Sequence, residues 1–252
     1  MPLVTIAIDP GTSLTKCIYQ VDDGPPQLLA LPPDSAELPR ELAFTLQEQC
    51  SYTNFHGKAK PEELIWYSLG KKGALFAVGA LARKYQQEMD IERLKYEAAE
   101  SKIIGIIGAI AQRESLDRFS IDIAMLLPYG EYRDEAKLKQ KIKTALSKTI
   151  YWHGTTGIKV KLKDWCCYPE GSGRMFRYIA EVGADTFASQ NILVLMLGHR
   201  NGSILKLENG SNSDDSESSD RYGFYRFLDY VLEQKPAYSA ENLLASFVVE
   251  PL

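Results

Sequence analysis

Leu3-Val4-Thr5-Ile6-Ala7-Ile8-Asp9-Pro10-Gly11-Thr12-Ser13-Leu14-Thr15-Lys16-Cys17-Ile18-Tyr19 is the stretch on which the reading of this chain turns. Residues 3–8 read as a buried strand, and residues 14–21 as a second strand with Lys16 near its start. The turn between them is built from Asp, Pro, Gly, Thr and Ser. Gly11 can adopt backbone angles closed to other residues and exposes its N–H. Successive free N–H groups in a turn form an anion-binding concavity. Thr12 and Ser13 add hydroxyl donors, and Lys16 adds a point positive charge. Asp9 closes the first strand, where a carboxylate would hold a hydrated Mg²⁺. The set suits a metal-bound polyphosphate. The same residues also fit an ordinary hairpin turn with one surface lysine, and local spacing alone does not separate the two. The turn matches neither G-x-x-x-x-G-K-[ST] nor G-x-G-x-x-G, because no helix follows it directly.

Working outward, the 252 residues suffice for one large domain or two small ones. An apolar share of 45% and a charged share of 25% are those of a globular protein. The formal net charge of −4 leaves no basic excess to favour a nucleic-acid backbone, so no direct nucleic-acid partner is expected. Cys17, Cys50, Cys166 and Cys167 form no C-x-x-C pair, which argues against a zinc site or a disulfide framework. Reduced thiols and the lack of a signal peptide point to the cytoplasm. The apolar run near 103–111 is too short to span a bilayer, so no membrane partner is expected.

In chain order, 27–31 reads as a third strand and 42–46 as another, with 51–61 as an exposed insertion. Residues 64–67 and 74–78 read as strands joined by the Gly70-Lys71-Lys72-Gly73 turn. Apolar residues every three or four positions predict one or two helices over 91–111. Ile103, Ile104, Ile106, Ile107 and Ile110 make its later part apolar nearly all round, hence buried. Gly105 and Gly108 there would permit close packing against a sheet. Residues 120–127 read as a central strand covered on both faces. Residues 131–150 read as an amphipathic helix with Ala136, Leu138, Ile142 and Leu146 inward, 158–162 as a strand, and 172–188 as a helix. Residues 192–197 read as a second fully buried strand, turned at 198–202 and paired back by 203–207. Residues 209–220 read as a solvated acidic loop. Residues 223–234 read as a helix with Phe224, Phe227, Leu228 and Val231 on one face, followed by a short helical stretch. The order implies an α/β fold with a mixed sheet.

The strand, D-x-G-T/S, strand, Lys pattern of residues 3–21 resembles the first phosphate loop of the actin, Hsp70 and sugar-kinase superfamily. Further segments, in order, resemble the plasmid-segregation (ParM-type) and archaeal actin-like proteins. Val78-Gly79-Ala80-Leu81-Ala82 looks like V-G-x-x-A. Leu126-Leu127-Pro128-Tyr129-Gly130-Glu131-Tyr132 looks like G-L-P-x-x-E-Y, and Tyr168-Pro169-Glu170-Gly171-Ser172-Gly173 like P-E-x-x-G. Leu195-Met196-Leu197-Gly198-His199-Arg200-Asn201 lies where the second phosphate loop belongs, and Gly223-Phe224-Tyr225-Arg226-Phe227 resembles the first helix of the second lobe. The resemblance implies an actin-like (ribonuclease H-like) ATPase fold. Its first lobe would cover 1–189 and the beginning of the second lobe 190–252, the second lobe being incomplete. It implies that the two loops face each other across a cleft and grip ATP or GTP with Mg²⁺. Asp9 would stand on the metal side, with Gly11, Thr12, Ser13 and Lys16 at the phosphates. Gly198, His199, Arg200 and Asn201 would contribute from the second loop, and Glu170 would orient the attacking water. Glu170 also fits a plain helix-N-terminal acid. The implied role is a nucleotide-dependent filament of identical subunits, in plasmid or DNA segregation or cell organisation.

Two departures qualify this. The family's second loop opens D-x-G-G, whereas Met196 stands here, and a thioether does not bind a hard cation. Relatives also continue beyond the helix at 223–234 to complete the second lobe. Three readings follow: a hydrolysing filament protein, an actin-like scaffold that binds nucleotide without hydrolysis, and a small-molecule kinase of the same superfold. The kinase ranks last because the second loop carries no catalytic Asp. Whether the chain is an ATPase or GTPase stays open at this stage.

Overall fold

Residues 3–10 alternate apolar and small or polar side chains, and in the computed structural model they form β1 (Leu3–Pro10) with Val4, Ile6 and Ile8 buried. The structure describes residues 1–55, 61–85 and 94–234, the side chains of 51–55 excepted. The described chain divides into two compact units, one of residues 1–127 and 131–169, the other of 128–130 and everything from 170 on. Residues 170–189, placed by the sequence reading with the first lobe, therefore pack with the second unit.

The first unit is built on a nine-stranded sheet ordered β3-β2-β1-β7-β9-β8-β5-β6-β4. Its strands are β1, β2 (Thr15–Val21), β3 (Gln27–Leu31), β4 (Ser35–Leu38), β5 (Ile65–Leu69), β6 (Leu75–Val78), β7 (Arg118–Leu127), β8 (Ile150–Trp152) and β9 (Thr156–Pro169). β7 lies parallel to β1 and to β9, and the remaining pairs are antiparallel, so the sheet is mixed as expected. Its helices are α1 (Leu42–Phe55), α2 (Ala80–Arg83), α3 (Lys95–Arg113) and α4 (Glu135–Leu146).

α3 carries the core. Ile103, Ile104, Ile106, Ile107 and Ile110 are fully buried, each contributing about 1.5–3 kcal/mol of transfer free energy. The two α3 glycines are where the sheet comes closest. A Cβ on Gly105 would lie 2.9 Å from Val78 Cγ2 and 3.0 Å from Ile65 Cγ2, and one on Gly108 would overlap the Trp152 ring. Leu38, Leu46, Cys50, Trp66, Leu75 and Leu81 form a smaller core beneath α1.

Several expectations need correction. Residues 42–46 begin α1 and are not a strand: Leu46 and Cys50, four apart, both point inward, a helical and not a strand period. Residues 35–38, to which the sequence reading assigned no element, form β4, paired with β6. β7 is buried on one face only; Ser120, Asp122, Ala124 and Leu126 alternate with the core residues at partial exposure. The helix expected over 131–150 ends at Leu146, Ala136 faces outward, and Ile150 belongs to β8. Residues 56–60 and 91–93 of the expected insertion and helix lie outside the described residues.

The second unit holds α5 (Ser172–Val182), α6 (Ala184–Ala188), β10 (Ile192–Leu197), β11 (Gly202–Glu208), β12 (Ser211–Asn212), β13 (Glu217–Ser219) and α7 (Phe224–Gln234). The single helix expected over 172–188 breaks at Gly183, whose φ of 84° no helix accommodates. β10 is not fully buried: Leu193, Leu195 and Leu197 are 59%, 68% and 69% exposed, while Ile192, Val194 and Met196 turn inward. The acidic segment 209–220 is not simply solvated, since β12 and β13 both pair with β11, and Lys206 Nζ holds Asp215 at 2.6 Å. The terminal helical stretch expected after 234 lies outside the described residues. Among the described residues no helix is long and apolar enough to cross a membrane.

Candidate functional site

In the first unit, β1 and β2 pair in strict register, Asp9 opposite Lys16 and Pro10 opposite Thr15. Directly opposed residues of an antiparallel pair share a face. Asp9 and Lys16 thus lie together on the face away from Ile8 and Cys17, which are buried. The turn between the strands is tight. A Cβ on Gly11 would collide with the carbonyl oxygen of Leu14. Gly11 does not hold a left-handed φ. Its glycine is required by this close approach and not by the unusual backbone angles the sequence reading invoked. Gly11 is buried, Thr12 half-buried, and Ser13 and Lys16 exposed. Thr15, wholly buried, has a hydroxyl with no hydrogen-bond partner.

Two residues the sequence reading passed over complete this loop. Lys95, in the first turn of α3, places its Nζ 3.2 Å from Asp9 Oδ1, its side chain 7% exposed. Lys102, also buried, places its Nζ 3.4 Å from the Gly11 carbonyl oxygen. They are seven residues apart, two helical turns, and so fall on one face of α3. The start of α3 is itself anchored. The Tyr96 N–H donates to Glu131 Oε2 at 3.0 Å, and the Leu94 N–H to Glu97 Oε2 at 3.3 Å, satisfying amides that the helix leaves open. Glu131, the acid of the quoted Pro-x-x-Glu-Tyr segment, thus holds the helix end that carries Lys95. The sequence did not single them out, because Glu97, Glu100 and Ser101 lie between the two lysines and give this half of the helix the look of a solvated face.

The residues around Asp9 do not fit the Mg²⁺ that the resemblance implies. Mg²⁺ beside a nucleotide takes one or two protein carboxylates, with phosphates and water completing its shell. The Asp9 carboxylate is instead paired with the Lys95 ammonium, whose charge opposes a dication there.

In the second unit the loop 198–202 is closed by the Gly198 N–H donating to the Asn201 carbonyl at 2.8 Å. Its own carbonyls are spent on α7: Gly198 O accepts from the Phe224 N–H and His199 O from the Tyr225 N–H, both at 3.0 Å. A Cβ on Gly223 would overlap the Arg200 carbonyl, so the helix start is pressed onto the loop. Arg200, Asn201 and Ser203 are buried, and Asn201 Nδ2 donates to Ser203 Oγ at 3.3 Å. Burial pushes the His199 imidazole below its ordinary pKa, so it is neutral at pH 7, with Nδ1 buried and unpartnered.

Glu170, 7% exposed, immediately precedes Gly171, whose φ is 93°. Beyond that bend α5 begins, pressed onto the β10–β11 hairpin: a Cβ on Gly171 would lie 3.1 Å from Val194 Cγ1 and 3.3 Å from Met196 Cγ. Met196 is thus part of the apolar seat of α5. The candidate residues fall into two groups, Asp9, Gly11, Thr12, Ser13 and Lys16 in the first unit and Glu170, Gly198, His199, Arg200 and Asn201 in the second.

Comparison with solved structures decides the fold. Actin-like protein Alp7A superposes with a TM-score of 0.67 at 13% identity, over 96% of this chain and 68% of Alp7A. The fold is that of the actin-like proteins. AlfA from B. subtilis plasmid pLS32, solved as a filament, matches this actin-like chain with a TM-score of 0.58 at 14% identity, over 94% of it and 80% of AlfA. Bacillus thuringiensis ParM with ATP matches with a TM-score of 0.57 at 14% identity, over 96% of this chain and 69% of ParM. No protein-family model and no curated protein sequence matches the actin-like chain. The resemblance drawn from its motifs therefore holds at the level of the fold.

Proposed function

We propose that the chain is an actin-like nucleotide-binding protein that assembles with copies of itself into filaments in the cytoplasm, in plasmid or DNA segregation or cell organisation. The observation that carries this is the first loop: a tight turn between paired strands, hydroxyls at Thr12 and Ser13, and the ammonium groups of Lys95 and Lys102 beside Asp9 and Gly11. Phosphate recognition calls for backbone N–H groups, hydroxyls and lysine point charges. The fold likeness to an AlfA solved as a filament and a ParM solved with ATP supports the reading. Gly11, Thr12, Ser13 and Lys16 are the proposed phosphate contacts of the first loop. Gly198, His199, Arg200 and Asn201 are those of the second, and Glu170 is the residue that would orient a water. The nucleotide is ATP or GTP.

Light scattering and sedimentation after adding ATP or GTP test the reading, with isothermal titration of each nucleotide into the parent and into Lys16→Ala. Assembly that follows nucleotide, and binding weakened in Lys16→Ala, are the expected results. No nucleotide heat and no assembly would reject it.

Met196 favours a second reading, a scaffold that binds nucleotide without turnover. A carboxylate there would supply an oxygen ligand or orient a nucleophile, and a thioether packed into the seat of α5 does neither. A phosphate-release assay separates the two readings.

A further inference from the structure

We propose that the Lys95 ammonium occupies the electrostatic role of the divalent cation at the first loop, so that this chain binds the phosphates of a nucleotide without metal. The inference rests on the nucleotide reading above and deepens it.

Asp9 is the carboxylate that a metal would need, and its Oδ1 lies 3.2 Å from Lys95 Nζ. That ammonium cannot swing away at little cost. Its side chain is 93% buried, and it leaves the first turn of a helix pinned by Glu131 at the Tyr96 N–H and by Glu97 at the Leu94 N–H. Two turns along the same face, Lys102 delivers a second buried ammonium to the Gly11 carbonyl. A dication placed at Asp9 would meet the like charge of Lys95, and because that ammonium is buried the repulsion is stronger than between two ions in bulk water. An incoming phosphate meets the opposite situation. It finds a positive charge already positioned and desolvated, and its oxygens can share the Lys95 protons with Asp9. Lysine binds phosphate in this way, as a point charge.

The test is isothermal titration of ATP and of GTP into the full chain, once with excess EDTA and once with Mg²⁺, for the parent, Lys95→Met and Lys95→Arg. Circular dichroism verifies that each variant is folded. Expected for the parent is a Kd in EDTA within about threefold of that in Mg²⁺. Lys95→Met, which keeps the aliphatic length and loses the charge, should weaken binding in EDTA by about tenfold or more, with Mg²⁺ restoring part of the loss. Lys95→Arg should bind in EDTA much as the parent does. Parent binding that collapses in EDTA, or Lys95→Met binding there as tightly as the parent, would overturn the metal-free role while leaving nucleotide binding intact. No binding of either nucleotide in either buffer would overturn the nucleotide reading and this inference with it.

Discussion

At the scale of single residues, the first loop depends on Gly11 for space. Gly11→Ala forces its new methyl against the Leu14 carbonyl, so the turn must open. The expected outcome is nucleotide binding weakened by about tenfold or more, with the far-ultraviolet dichroism of the sheet unchanged, as titration and spectra would report. Gly11 was legible in the sequence as a position that matters, though for a different reason. Gly105 and Gly108 were legible for the right reason, since both sit where α3 meets the sheet. Lys95 and Lys102 escaped because a lysine in a helix is ordinarily a surface residue, and only the fold reveals that their face is buried. His153 gives a second residue-scale test. Its ring stacks on Trp152 at 4.8 Å and Trp66 at 5.6 Å, and Nε2 lies 2.8 Å from the Leu64 carbonyl. Burial lowers its pKa, and the Leu64 carbonyl opposes that only in part. The unfolded chain therefore binds the proton at a higher pH than the folded one. The stabilisation is present above the ordinary histidine value of about 6.5 and is lost as pH falls below it toward the folded pKa. Between pH 7 and pH 5 the melting temperature should drop, and in His153→Asn, which tolerates the local φ of 50°, the drop should be smaller. His199, lowered by burial in the same direction, leaves a residual slope.

At the scale of elements, the period of the side chains decided what could be read. β1, β2, β3, β5 and β6 were legible because their apolar residues mark them as strands between clear turns. β9 was read only as far as Leu162, because its alternation reverses there. Ile158 and Val160 point inward, and then Trp165 and Cys167 do. The register explains it: Ile121 pairs with Leu162 and Asp122 with Asp164, so Lys163 is the extra residue of a β-bulge. Deleting Lys163 would turn Trp165 and Cys167 to the outer face. It should lower the urea midpoint of the first unit by far more than Lys163→Ala, which keeps the bulge and belongs with surface changes of about 0.5 kcal/mol or less. α1 was misread because its opening residues make a short apolar run, which strand and helix share. β10 was read as fully buried because all six of its residues are apolar, and composition cannot tell an inward from an outward leucine.

At the scale of the whole molecule, fold recognition came from motif order, since any one segment was weak. The division of the chain was not legible in the same way. Residues 128–130 join the second unit because the Gly130 N–H donates to Ser218 Oγ at 2.8 Å, a contact that spans nearly ninety positions and leaves no local trace. On the proposed nucleotide reading, Met196→Asp would place an oxygen ligand beside the second loop, at the cost of a carboxylate in the apolar seat of α5. A folded Met196→Asp should release phosphate from ATP or GTP in Mg²⁺ faster than its parent. Release at the parent's rate would leave Met196 as a packing residue alone.

β10 sits at the margin of its sheet, paired on one side only among the described residues, with Leu193, Leu195 and Leu197 pointing outward. Such a border is sticky. Without nucleotide, concentrated solutions should cloud on warming, sooner when sulfate is added and later in dilute urea. Leu195→Lys should stay clear for longer, as turbidity at a wavelength beyond protein absorption would record.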